Sequence, residues 1–125
     1  MAGPLSGIKL VEFAGIGPGP FCGMILADLG AEIIRIDRSS QHGRGNTIDF
    51  QHRSKLSLSA DLKNPQTINE IKKLVKNVDG LIEGFRPGVM ERLGLGPDEC
   101  LKTVSYTHLR AHETEADLVC RLLLE

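Results

Sequence analysis

Apolar and polar positions along this chain fall into blocks whose period switches between that of a strand and that of a helix. Ile8–Ala14 (IKLVEFA) is apolar and carries β-branched residues, which predicts a buried strand. Gly15–Pro20 (GIGPGP) breaks it. Phe21–Leu29 (FCGMILADL) reads as a helix, with Pro20 at its mouth, where the first N–H groups have no intrahelical partner, and Gly30 as its terminating glycine. Glu32–Asp37 (EIIRID) is a second strand, and Ser39–His52 is a polar, aperiodic loop, long enough to hint at function or mobility. Lys55–Leu62 alternates, with Leu56, Leu58, Ala60 and Leu62 on one face and Ser57, Ser59 and Asp61 on the other, so a half-buried strand is expected. Asn64 caps the next helix and Pro65 takes its first position. Its apolar stripe is Ile68, Ile71, Leu74, Val75 and Val78, with Glu70, Lys72, Lys73 and Lys76 toward water. Leu81–Phe85 is a fourth strand, Val89–Leu93 a short helix after the Pro87–Gly88 turn, and Pro97 opens another at PDECL.

Strands alternating with helices predict an α/β fold with a mainly parallel sheet. Ligands of such sheets sit at the carboxyl ends of strands, near points where strand order reverses. The segments to watch are therefore Gly15–Pro20, Asp37–Ser40 and Gly84–Gly88. At 125 residues there is room for one domain. Hydrophobic residues at 41% and charged residues at 25% are ordinary globular values and exclude wholesale disorder. A net charge of −1 makes no electrostatic case for nucleic acid. No run approaches the roughly 20 apolar residues of a membrane span. The start, MAGPLSGIKL, lacks the pattern of a secretory signal. Cys22, Cys100 and Cys120 are odd in number and scattered, which fits a reducing, intracellular compartment and no disulfide framework. Cytoplasm, peroxisome and mitochondrion are all compatible with this.

A seam divides residues 1–103 from 104–125. The tail holds two basic residues against four acidic ones, the only tyrosine (Tyr106) and two of the four histidines, while all 14 glycines precede it. Val104–Thr114 (VSYTHLRAHET) resembles the in-frame translation of a transposase-type sequencing adapter, and Glu115–Glu125 (EADLVCRLLLE) resembles the translated flow-cell primer that follows one. The expectation is an α/β domain over 1–103 and a non-native tail over 104–125, set aside in reasoning about the fold. The alternative is a native C-terminal helix. His108 and His112 stand at i and i+4, a metal-ligand spacing on a helix, but no second ligand cluster accompanies them. No metal site is assigned.

Gly15, Gly17 and Gly19, with Asp37 ending the second strand, imitate a dinucleotide fingerprint. Pro20 occupies the third-glycine position and Pro18 removes an N–H from the loop, so what survives is a backbone loop that lets a ligand approach closely. Arg38, Arg86 and Arg92 lie at or just past strand ends, where a planar, permanently charged fork suits phosphate; solvated surface charge is the plain alternative. Lys63 is placed to reach an anion too. Cys22, near a helix start, is read as a buried structural cysteine, and His42 and His52 receive no role. Glu12 and Glu83 sit inside apolar strands, so each needs a partner or a ligand-facing position.

LSGIKLVEFAGIGPGPFCGMILADLGAEIIRIDR, SADLK and GLIEGFRPGVMERLGLGPDEC together resemble the N-terminal part of class III CoA-transferases, and VEFAGIGPGPFC is nearest to the α-methylacyl-CoA racemases among them. The resemblance runs from residue 5 to about 101. It implies the first part of a Rossmann-like large domain, in longer proteins whose two subunits interlock as a homodimer. It implies acyl-CoA as substrate, with no separate cofactor. Racemases of this family invert a 2-methylacyl-CoA through an enolate; transferases move CoA between carboxylic acids through an aspartyl thioester. By position, the resemblance implies CoA contacts at Ile16 and Gly17, Arg38, Ala60, Asp61, Leu62 and Lys63, Gly84, Phe85 and Arg86, and Arg92. It assigns no catalytic residue here, because the family's proton-handling histidine and aspartate, and its nucleophilic aspartate, fall beyond the matched region. A short CoA-binding module without enzymatic activity is the alternative from another class.

Overall fold

The computed structural model describes residues 3–38, 50–101, 107–112 and 119–124. Four parallel strands, β1 (Lys9–Phe13), β2 (Glu32–Arg38), β3 (Lys55–Ala60) and β4 (Gly80–Glu83), alternate with helices α1 (Pro18–Asp28) and α2 (Pro65–Val75), as the pattern predicts. Two short helices, α3 (Val89–Arg92) and α4 (Pro97–Leu101), follow β4. The strand order is β3-β2-β1-β4, so the chain steps outward from β1 through β2 to β3 and then returns to the other side of β1. The order therefore reverses between β1 and β4. β5 (Thr107–His112) and β6 (Val119–Leu124) extend the sheet antiparallel, with β6 beside β4. His108 and His112 thus stand on a strand, where helical spacing has no meaning.

Each face of the sheet buries its own core. On the α1 face, Leu10, Ile33 and Ile82 pack with Ala27 and Ala31. On the α2 face, Val11, Phe13, Ile36 and Leu81 meet Ile68, Ile71 and Val75, joined by Met90, Leu95 and Cys100 from the segment after β4. Strands covered on both sides are apolar throughout, which is why β1 and β4 read as continuous runs. Asn64 caps α2 as expected, its side-chain oxygen accepting from Gln66 N at 2.9 Å. Gly30, at φ +104°, ends α1: Gly30 N donates to Ala27 O at 3.0 Å and Ala31 N to Leu26 O at 3.0 Å, both bonds of a Schellman motif. No described helix is long and apolar enough to cross a membrane.

The structure corrects four expectations. Helix α1 begins at Pro18, three residues before the predicted start, so Gly19 and Pro20 form its first turn and the break shrinks to Ala14–Gly17. Strand β3 stops at Ala60 and β4 at Glu83, each two residues short of its predicted end. Leu56 and Leu58 are not core residues; they are 59% and 46% exposed. Alternation identified their common face correctly, but β3 is the outer strand, and of that face only Ala60, its last residue, joins the core beneath α2. Cys22 is half-buried rather than enclosed, and packs against the α1-side core.

Candidate functional site

Because β1 to β4 are parallel, every predicted ligand segment reaches the same edge of the sheet. The loop after β1 carries Ile16, 92% exposed, and then Gly17, the N-cap of α1 at φ +86°, a conformation side chains resist. The loop after β4 carries Gly84, Phe85 and Arg86. These two loops meet across the point of strand reversal. A Cβ on Gly19 would lie 3.7 Å from Gly84 N, and one on Gly84 would lie 3.8 Å from Gly19 N. Two glycines face one another there, so larger side chains would crowd the junction.

Arg38, at the end of β2, is exposed, and its guanidinium lies 5.5 Å from the centroid of the Phe85 ring. Phe85 also packs on Phe13, centroid to centroid 6.0 Å at 60°. The ring thus holds the arginine against the core by a cation–π contact that leaves the N–H edge of the fork available to oxygen acceptors. Ala60 is buried beside Arg38 in register, and Leu62 packs on the α2-side core. Asp61 Oδ1 accepts from Lys63 N at 3.0 Å, which turns the chain out of β3 and leaves the Lys63 side chain exposed. Arg86 is exposed in the loop after β4. Arg92 is exposed on α3 and its Nε donates to Gly88 O at 3.3 Å, so it is tied to its own turn rather than to the strand ends.

Both strand carboxylates acquire partners. Glu83, 3% exposed, accepts from Phe85 N at 2.8 Å through Oε2, which shapes the β4 loop. Glu12, fully buried, meets Lys55 Nζ at 2.8 and 2.9 Å, and the same ammonium donates to Pro20 O at 3.0 Å. Burial pushes the Glu12 carboxyl upward, against the hydrogen bond and charge of Lys55. Lys55 is the functional neighbour that sequence reasoning missed. The demand for a partner was visible at Glu12, but Lys55 lies 43 residues away on a strand two positions over.

Asp37 does not behave as a ribose-binding acid. Arg35 Nη2 sits 2.7 Å from it, and Ser57 Oγ also donates to it. Burial alone would raise its carboxyl, but these hydrogen bonds win and hold it below its ordinary value. Cys100 is buried with its thiol 3.4 Å from Leu95 O, and burial pushes that thiol up, away from reactivity. His42 lies outside the described residues. Among the described residues no three His, Cys, Asp or Glu side chains gather as a metal site would require.

One end of the parallel strands therefore gathers a glycine-lined loop and the exposed cations Arg38, Lys63 and Arg86. Comparison with known proteins agrees on the family. The profile of CoA-transferase family III matches residues 5–104. Alpha-methylacyl-CoA racemase of Mus musculus is 46% identical over 98 residues, 78% of this chain and 25% of that protein. Succinyl-CoA–D-citramalate CoA-transferase of Chloroflexus aurantiacus is 38% identical over 108 residues, 77% of this chain and 27% of that protein. The crystal structure of a CAIB/BAIF family protein from Brucella suis superposes with a TM-score of 0.71 at 30% identity, over 82% of this chain and 31% of that one. The chain spans about a quarter of the length of these curated relatives. With the profile covering most of its length, this chain belongs to CoA-transferase family III.

Proposed function

We propose that the carboxyl edge of β1 to β4 binds the CoA portion of an acyl-CoA thioester, and that this chain is the N-terminal CoA-binding part of an α-methylacyl-CoA racemase-like enzyme acting through an enolate. The observation that carries the reading is Arg38 stacked on Phe85 beside the glycine-lined loop. The stack orders a phosphate-binding fork in advance, and the loop admits a ligand to the main chain. The 46% identity to a racemase supports racemisation over CoA transfer. The transferase reading stands second, supported by 38% identity to a family member named for that activity.

In this proposal the chain binds but does not turn over. Proton removal requires a base near the α-carbon and a partner acid. The carboxylates at this end are engaged: Glu12 with Lys55, Glu83 with Phe85 N, Asp37 with Arg35 and Ser57, and the exposed Asp61 with Lys63 N. The proton-handling pair is assigned to later parts of the longer relatives, whose two subunits would interlock. Residues 104–125 are proposed to derive from adapter sequence; the profile match ends at residue 104, which supports placing the seam there.

Calorimetric titration of CoA into the chain tests the binding claim. Arg38→Ala is expected to weaken binding about ten- to a hundredfold, since a hydrogen bond to a charged group contributes about 1.5–3 kcal/mol. An unchanged affinity removes Arg38 from the site. A 2-methylacyl-CoA followed by α-proton exchange should show no turnover by this chain, and measurable turnover would sink the claim of inactivity.

A further inference from the structure

We infer that Lys55 is a positioning residue, whose ammonium clamps the two ends of the Ala14–Gly17 loop and so sets the shape that the loop presents to CoA. The inference rests on the CoA reading above, and adds to it a residue that does not face the ligand. Glu12 lies on β1, just before the loop begins. Pro20 lies in the first turn of α1, just after it ends. Lys55 reaches from β3 to both, with 1% of its side chain exposed. Its three N–H groups are matched to three oxygens, Glu12 Oε1 at 2.8 Å, Glu12 Oε2 at 2.9 Å and Pro20 O at 3.0 Å. One buried point therefore fixes both the strand that enters the loop and the helix that leaves it.

Stability alone is a poor reason for this arrangement. A buried ion pair costs two desolvations, and well-packed apolar residues of similar volume commonly replace one with no loss of stability. What apolar residues cannot do is hold the Pro20 carbonyl by a directed bond. The rest of the sequence accommodates the pair. Gly23 passes directly over it, and a Cβ there would overlap Glu12 Oε1 and come within 3.0 Å of Lys55 Nζ. Helix α1 thus has its glycine where the clamp needs room, although glycine weakens a helix interior.

The test pairs Glu12→Leu with Lys55→Met in the whole chain and reads three things. The thermal midpoint is expected to stay within a few degrees of the parent. CoA affinity is expected to fall about tenfold or more. Amide exchange at Ala14 and Phe21, whose N–H groups donate to Ile36 O at 2.9 Å and to Gly17 O at 3.4 Å at the two ends of the loop, is expected to accelerate about tenfold or more, with β1 and β2 amides unchanged. If the double variant does not fold, Glu12→Gln with Lys55→Met keeps the shape of the carboxyl group without a buried charge, and the same readings apply. Faster loop exchange in the variant, where the parent chain shows no CoA affinity, supports the clamp and refutes the CoA reading. Unchanged loop exchange and unchanged affinity in a stable variant overturn the clamp.

Discussion

Gly23→Ala is a sharp test of the buried network, because helix propensity and the structure predict opposite signs. In an exposed helix interior, alanine in place of glycine is favourable by about 1 kcal/mol. At Gly23 the added Cβ would overlap Glu12 Oε1 and stand 2.9 Å from the carboxyl carbon and 3.0 Å from Lys55 Nζ. The obstructing atoms are not the free end of a mobile side chain. Glu12 is fully buried and both its oxygens are held by Lys55. To make room, the carboxylate must leave its ammonium, or α1 must lift from the sheet and uncover Ala27 and Cys22. Disrupting a buried pair costs about 3–5 kcal/mol. Setting the propensity gain against it leaves a net loss of about 2–4 kcal/mol, a large share of the roughly 5–15 kcal/mol that holds a domain folded. With a urea slope near 2 kcal/mol/M, the unfolding midpoint should fall by about 1–2 M. Urea titration followed by far-ultraviolet circular dichroism measures this directly. Repeating it in a Glu12→Ala background supplies the control: the two nearest obstructing atoms are gone and only Lys55 Nζ at 3.0 Å remains, so Gly23→Ala should then cost less. A Gly23→Ala chain as stable as its parent would show that α1 does not bear on the pair, and the packing argument would fail.

Leu58→Lys should suppress scattering on heating while changing stability by no more than about 0.5 kcal/mol, because Leu58 is 46% exposed on the outer strand, where charge discourages edge pairing. A stability loss as large as that of a core substitution would return Leu58 to the buried face that alternation predicted. Asp37→Asn should flatten the acid limb of the stability curve. The Asp37 carboxyl is held below its ordinary value, so its contribution is present above about pH 4 and lost as pH falls through the lowered folded value. Equal slopes for parent and variant in acid-range urea titrations would detach Asp37 from that limb.

Local chemistry made much of the fold legible. Asn64-Pro65 marks a cap and a first helical position, Gly30 a left-handed stop, and the apolar runs of β1 and β4 are what strands covered on both faces require. Proline misled at the start of α1. Pro20 stands where a helix mouth is expected, but Pro18 reads as part of the break; yet a proline needs no N–H partner in a first turn, and α1 opens on both. Leu56 and Leu58 misled for a different reason. Period gives the face a residue shares with its neighbours; whether that face is covered depends on strand order, which is not local information. The site divides in the same way. Arg38 and the glycine loop are visible because strand ends are visible, whereas the stack of Arg38 on Phe85 joins residues 47 positions apart and the Lys55 clamp joins residues 43 apart.

The two glycine contacts at this edge show how binding and stability share one region. Gly19 and Gly84 let the start of α1 and the loop after β4 approach closely, on the side where a ligand is proposed to enter. Gly23 leaves space beneath α1, on the side where the clamp sits. Each omitted Cβ forgoes helix propensity or packing, and the losses concentrate around the loop Ala14–Gly17. A loop so poor in side-chain contacts would open easily on its own. Charge restores order at its two ends: Lys55 behind it, and, across the strand reversal, Glu83 gathering the Phe85 amide so that the ring can carry Arg38. The polar groups buried near this edge are thus spent on fixing main chain, which is the part of the site that glycine left bare.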